Sequence, residues 1–337
     1  MTGSRTAGAA AVLLLASCAP AAPTDVGAKQ VVAPTVSSPA RVIDPRCDGT
    51  APRGAIEVAI TVDDLPRHGK LPDGMTRTGI VETMTASFAR HGVSGVYGFV
   101  NGARVETDDE KRALDVWVSS GHNVANHGFS HTSAEKLSTA AFFEEVDKNE
   151  PILDPLRKKT KGSLRVFRYP YLHQGKDTAA RDANVAGLTE RHYRIAEVTF
   201  DFSDWAYTDP YERCTRKSAQ EEIRALEESY LEQAEAALAW SDAAACTLVG
   251  RPIRHILLLH ISPFSALRMD TLLSRLEGLG ARFISLEAAL EDPVHASEPL
   301  EQRSVRGPLL YQIRAAKKAK YVPIPAVPDP ALAVVCK

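Results

Sequence analysis

The chain is short of several things. Among its 337 residues are three tryptophans, four methionines and five cysteines, and the formal net charge is −2. A charge this close to balance offers no broad basic surface for a phosphate backbone, so nucleic acid is not an expected partner. No two cysteines stand in CxxC spacing, which argues against a cysteine-rich zinc cluster. No apolar run reaches the ~18 residues that a membrane-spanning helix needs. What remains, 44% hydrophobic and 24% charged residues, is the composition of an ordinary globular chain, long enough for one large domain or two small ones.

The first residues depart from that composition. "MTGSR" carries one arginine and is followed by the apolar "AGAAAVLLLAS", which reads as an export signal. Leu15-Ala16-Ser17-Cys18 resembles the cleavage box of bacterial lipoproteins, in which the cysteine is lipidated; a plain signal peptide with an incidental cysteine is the alternative. With Ala19 next, the resemblance implies an exported, periplasmic protein held at the outer membrane by its N-terminal lipid alone. Expected boundaries are a signal peptide over 1–18 and a flexible tether, rich in Ala, Pro, Ser and Thr, over 19–54. Export makes disulfides plausible for Cys47, Cys214, Cys246 and Cys336, with three possible pairings. The pairing expected is Cys214 with Cys246 and Cys47 with Cys336; free buried thiols are the alternative.

From Ile56 onward, strand-like and helix-like segments alternate about seven times, which predicts an α/β fold with a mainly parallel sheet, open or closed into a barrel. The strands are "IEVAITV", "SGVYGFV", "HNVANH", "LRVFRYPY", "YRIAEVTFDF", "IRHILLLHI" and "ARFISL". The helical segment "STAAFFEEVDKNEPILDPLRKKT" is expected to break near Pro151 and Pro155. A helix over 218–240 carries Ile223, Leu226, Tyr230, Ala234 and Leu238 as one stripe, and is expected to pack rather than to bind a partner. The domain spans 55–293, and residues 294–337, basic and then Pro-rich, form a tail expected to wrap its surface.

In parallel sheets, chemistry collects at the carboxyl ends of strands. Those ends here carry Asp63 and Asp64, then His127 with His131, Arg168 with Tyr171, Asp201 with Asp204 and Trp205, and finally His260. Adjacent aspartates on a regular strand would face opposite ways, and their crowded charges call for a cation. Two histidines at i and i+4 on a helical turn share a face, and with Asp64 they make a two-imidazole, one-carboxylate set that leaves positions open. Zinc suits such a set, as cobalt, nickel, manganese or iron would.

Five motifs in order, "TVDDL" at 61–65, "HGFSH" at 127–131, "RYPY" at 168–171, "DFSDW" at 201–205 and "LLLH" at 257–260, resemble those of the polysaccharide deacetylases with a NodB-homology domain, carbohydrate esterase family four. The resemblance covers roughly residues 55–291 and implies a distorted (β/α)7-type barrel. It implies Asp64, His127 and His131 as metal ligands, Asp63 as catalytic base, and Arg168 as the group holding that base. It further implies the Tyr171 amide as oxyanion donor, Trp205 as a pocket wall and His260 as general acid. Asp204 would partner either Arg168 or His260. The implied activity is metal-dependent removal of N-acetyl groups from an envelope or imported glycan, by a monomer. The rivals are an amidohydrolase acting on a non-sugar C–N bond and an inactive glycan-binding lipoprotein. Leu65 replaces the family's usual glycine, and with Pro66 behind it a positive φ at residue 65 is disfavoured, so the loop there must differ. His68, His122, His173 and His255 read as structural or surface residues.

Overall fold

In the computed structural model, the described residues are 44–296, 306–320, 322 and 330–337. The expected signal peptide, the Cys18 lipidation site and most of the tether therefore lie outside the described residues. Seven strands run in chain order: β1 (Ile56–Leu65), β2 (Tyr97–Val100), β3 (Asn123–Asn126), β4 (Arg165–Phe167), β5 (Tyr193–Ile195), β6 (His255–His260) and β7 (Ala281–Ile284). The principal helices are α1 (Pro45–Asp48), α2 (Arg77–Arg90), α3 (Asp108–Ser119), α4 (Thr139–Arg157), α5 (Thr178–Glu190), α6 (Thr208–Arg216), α7 (Gln220–Val249), α8 (Pro263–Gly278), α9 (Leu286–Leu290) and α10 (Leu309–Ala316).

All strand pairs are parallel, in the order β5-β4-β3-β2-β1-β6, with β7 also on β1. Val58 pairs with both His255 and Phe283, so β6 and β7 occupy opposite edges of β1. The chain beyond β5 then turns back to the other end of the sheet, where Phe200 bridges Leu257 and the Leu258 amide donates to the Phe200 carbonyl. This contact curls the sheet into a distorted (β/α)7-type barrel, as expected.

Alternation along β1 sorts its side chains. Val58, Ile60 and Val62 face outward and pack with Ile80, Met84 and Phe88 of α2 and Leu272 and Leu273 of α8. Ala59 faces inward, with Tyr97, Phe99, Ala125, Val166 and Ile256. A strand buried on both faces reads as a continuous apolar run, and "IEVAITV" is one. The polar exceptions inside, Thr61 and Asp63, open the functional site.

The structure corrects several expectations. α4 continues through Pro151 and Pro155 without a break. Phe142, Val146, Leu153 and Leu156 are buried along it, and the Asn149 side chain donates to the Val100 carbonyl while accepting from the Gly102 amide, so tertiary contacts offset the missing backbone donors. α7 is longer than expected, 30 residues, with the predicted stripe buried. The tether expected to run to residue 54 is pinned sooner, at α1, where Cys47 bonds Cys246. The cysteine pairing is Cys47–Cys246 and Cys214–Cys336, not the one expected. The reason is length: the part of α7 from Gln220 to Cys246 spans roughly 40 Å at 1.5 Å per residue, which holds Cys214 and Cys246 apart. Among the described residues, no helix is long and apolar enough to cross a membrane.

The two bridges close sequence separations of 199 and 122 residues. Chain-entropy reasoning assigns a loop of this size on the order of 5 kcal/mol. Peptide mapping without reductant is expected to recover Cys47–Cys246 and Cys214–Cys336 fragments, and reduction to lower the denaturant midpoint. Recovery of a Cys214–Cys246 fragment would refute the assigned pairing.

Candidate active site

The site begins with an irregularity in β1. Between Val62 and Leu65, three steps on β1 match two on β2, because Val62 pairs with Gly98 and Leu65 with Val100. One extra residue is inserted, and Asp64 absorbs it at φ 70°. The bulge defeats the alternation that would have sent the two carboxylates to opposite faces. Both now approach one imidazole: His127 Nε2 lies 3.5 Å from Asp63 Oδ2 and 3.8 Å from Asp64 Oδ1. The residue at positive φ is thus Asp64, and Leu65 completes the strand, so the loop does differ at this point as its leucine and proline required.

Asp63 is buried and held from inside the barrel. Arg168 Nη1 donates to Asp63 Oδ1 at 2.7 Å and to Thr61 Oγ1 at 2.8 Å, and Nε donates to the Ala196 carbonyl at 3.1 Å. The guanidinium lies 4.2 Å from the centroid of the Phe99 ring. The arginine is 1% exposed. A buried pair of this kind survives best with its remaining donors and acceptors satisfied; here carbonyl, hydroxyl and ring supply partners, while Arg168 Nη2 is buried without a hydrogen bond.

His127 and His131 do not sit on a helical turn. Gly128 and His131 both have positive φ, and that loop reverses so that the two rings stand 5.0 Å apart. His127 Nδ1 lies 2.9 Å from the Arg168 carbonyl, which can only accept, so Nδ1 carries the hydrogen and Nε2 keeps its lone pair. His131 Nε2 lies 3.2 Å from Asp64 Oδ1. Burial pushes His127 down and His131 down to about 3, which keeps both imidazoles neutral. Burial works to raise the Asp64 pKa, but the His68 hydrogen bond and neighbouring cationic groups such as Arg104 outweigh it and hold the carboxyl well below its ordinary value.

These three residues fit a divalent cation. Their donor atoms all lie within 4.8 Å of one another. Asp64 Oδ1 is buried and accepts no well-formed hydrogen bond, although Arg104 Nη1 approaches it to 2.8 Å in a poorly aligned ion contact. An orphaned carboxylate oxygen between two neutral imidazoles is a ligand set of the two-His, one-carboxylate kind.

At the end of β6, beside Asp63, Asp204 binds His260 and not Arg168, which resolves the alternative left open by the sequence. Asp204 Oδ1 accepts from His260 Nδ1 at 2.7 Å, and Oδ2 accepts from the His260 amide at 2.7 Å and from Ser265 Oγ at 3.0 Å. Burial pulls His260 down, yet the Asp204 carboxylate and its hydrogen bond outweigh that and raise it to about 9. A cleft of about 340 Å³, in the size range of small-ligand sites, is lined by Asp63, His68, His127, His131, Tyr171, Leu172, His173, Asp201, Trp205, Leu258 and His260. Tyr171 (φ 59°) and Trp205 are 60% and 52% exposed, leaving two aromatic surfaces at its mouth.

Sequence reasoning missed three residues. His68, read as structural or surface, places Nδ1 2.7 Å from Asp64 Oδ2 and its ring centroid 4.9 Å from that of His260. Its spacing four residues after Asp64 was the available signal. Asp201, left outside the catalytic set, lines the cleft, and burial raises its pKa. Arg104 stands in a short 3-10 turn (Gly102–Arg104) with no motif to mark it.

The raised His260 value makes the folded, metal-free protein hold a proton that the unfolded chain releases above pH 6.5. The stability this adds is complete below that pH and is lost as pH rises through about 9. Chelator-treated protein is therefore expected to lose denaturant midpoint between these pH values, and Asp204→Asn to lose much less. Equal slopes for the two would rule out the His260–Asp204 coupling.

The family model for polysaccharide deacetylase matches residues 50–190. No curated protein matches the chain. Among solved structures, a chitin deacetylase from Colletotrichum lindemuthianum is similar at 20% identity and TM-score 0.49, over 71% of this chain and 89% of that one. A variant of a Bacillus subtilis peptidoglycan deacetylase is similar at 15% identity and TM-score 0.44, over 81% and 98%. A CE4 family pseudoenzyme from Bacillus anthracis is similar at 16% identity and TM-score 0.47, over 70% and 66%. The similarity to the polysaccharide deacetylase family thus lies in residues 50–190.

Proposed function

We propose that this protein is a metal-dependent hydrolase that removes N-acetyl groups from a glycan of the cell envelope or one being imported. The observation that carries the reading is the convergence on one cleft of three elements: the Arg168-held Asp63, the Asp64–His127–His131 donor set and the His260–Asp204 pair. A binding module would have no use for all three.

Asp64, His127 and His131 would hold the cation, with zinc the first choice for two imidazoles and a carboxylate. Bound there, a divalent ion supplies Lewis acidity, polarising an acyl oxygen and lowering the pKa of water from ~16 toward ~7. Every other part of the chemistry belongs to the chain's own groups. Asp63 has Oδ1 committed to Arg168, which leaves Oδ2 to take the proton of the attacking water. Arg168 keeps that carboxylate aimed. His260 carries the proton that the departing amine needs, and Asp204 fixes the ring through Nδ1 so that Nε2 is the atom that gives it. The Tyr171 amide is the candidate donor to the developing oxyanion, an interaction worth ~3–4 kcal/mol when well placed. The exposed Tyr171 and Trp205 rings offer apolar faces on which a sugar ring can lie.

The two disulfides fit an oxidising compartment. With the export signal and lipoprotein box read from the sequence, they support a periplasmic enzyme anchored through Cys18. Incubation with N-acetylated oligosaccharides is expected to give products lighter by one acetyl group, with release of acetate, and chelation to abolish it. Asp63→Asn is expected to keep the metal and lose ~10²–10⁴-fold in kcat. His127→Ala and Asp64→Ala are expected to lose the metal itself, measured by elemental analysis. Metal retained in His127→Ala would sink the ligand assignment. No acetate from any N-acetylated glycan, with glycan binding intact in Asp63→Asn, would favour a binding protein.

A further inference from the structure

Asp64 has two oxygens, and they serve different neighbours. Oδ1 lies toward His131 and His127, at 3.2 and 3.8 Å. Oδ2 lies 2.7 Å from His68 Nδ1. His68 in turn packs its ring 4.9 Å from His260, and donor atoms of Asp64, His68 and His260 all lie within 4.8 Å of one another. His260 has Nδ1 committed to Asp204, which leaves Nε2 as its ligating atom once neutral. The proposed reaction uses His260 but gives His68 no task. Two imidazoles and a carboxylate oxygen, set in the cleft wall, repeat the donor chemistry of the first site.

We propose that Asp64, His68 and His260 form a second, weaker divalent-cation site, joined to the first through the Asp64 carboxylate, and that filling it inhibits the enzyme. The inference rests on the proposed function, because the first site contributes the shared carboxylate. Two-metal hydrolases commonly use ions ~3.5–4 Å apart, and Asp64 would be the carboxylate common to both sites here. Here the second ion would hinder. To ligate it, His68 must bring a lone pair to bear, and His260 must release the Nε2 proton to solvent and give the resulting lone pair to the ion. The departing amine then has no acid to protonate it. The second site is the weaker for two reasons. Its carboxylate is already shared, and Arg104, 2.8 Å from Asp64 Oδ1, adds to the positive charge that a second ion meets. Metal should thus activate at low concentration and inhibit in excess.

The test uses the full chain, stripped of metal and titrated with zinc. Bound zinc per chain is measured by equilibrium dialysis with elemental analysis, alongside acetate release. The native protein is expected to bind two ions, the second at least 10-fold more weakly, with inhibition following the second. His68→Ala is expected to bind one, with the inhibitory phase moved at least 10-fold to higher zinc. His68→Gln retains a side-chain donor for Asp64, so it keeps the orienting hydrogen bond but removes the imidazole; it should match His68→Ala in stoichiometry. Native protein that binds one ion up to millimolar zinc and still releases acetate overturns this inference and leaves the proposed function standing. Two ions retained in both His68 variants overturn it as well. Native protein that binds no zinc and releases no acetate overturns the proposed function, and this inference with it.

Discussion

The ion pair between Arg168 and Asp63 is the constraint on which the rest depends. It crosses the barrel interior, from the end of β4 to β1, and fills space that an apolar core would otherwise occupy. Removing either partner would strand a buried charge, a change worth ~3–5 kcal/mol in comparable settings. The same arginine bonds Thr61 and the Ala196 carbonyl, so it ties β1 and β4 to the segment that returns from β5 to close the sheet. Its own carbonyl orients His127. One residue therefore secures the curl of the sheet, the aim of Asp63 and the tautomer of His127.

Around that post, the site is an exercise in charge placement. The part of the cleft that would hold a cation has neutral imidazoles and an ionised Asp64, while next to it stands a protonated His260 against Asp204. Buried groups with opposed protonation states in one cleft are what acid–base hydrolysis needs, since one must accept a proton as another donates it. The arrangement also brings a risk. Asp64 lies between His131 and His68, so the carboxylate proposed to anchor one ion is placed to serve another. Specificity for a single ion then depends on relative affinity.

The parts of the fold legible in the sequence were those with local causes. "IEVAITV" and "ILLLH" are apolar because both faces of a parallel strand are covered, and the residues proposed for catalysis lay at their ends because that is where a parallel sheet exposes its loops. The Pro151 and Pro155 expectation failed because packing outweighed a local preference. The cysteine pairing failed for a different reason. A helix was already expected over 218–240, and its straight length alone put Cys214 and Cys246 too far apart. His68 was passed over because a single histidine in a loop carries no period.

By itself, the sequence determined the alternation of strands and helices, the identity of the strand-end residues and the presence of enough acid, base and imidazole for the chemistry. These follow from side-chain type and spacing along the chain. Only the tertiary structure decided which oxygen meets which nitrogen. The bulge at Asp63–Asp64, the choice of His260 over Arg168 as the partner of Asp204, the approach of His68 and both disulfides depend on where distant segments stop against one another. Those positions are set by the packing of the whole barrel, which no local pattern encodes.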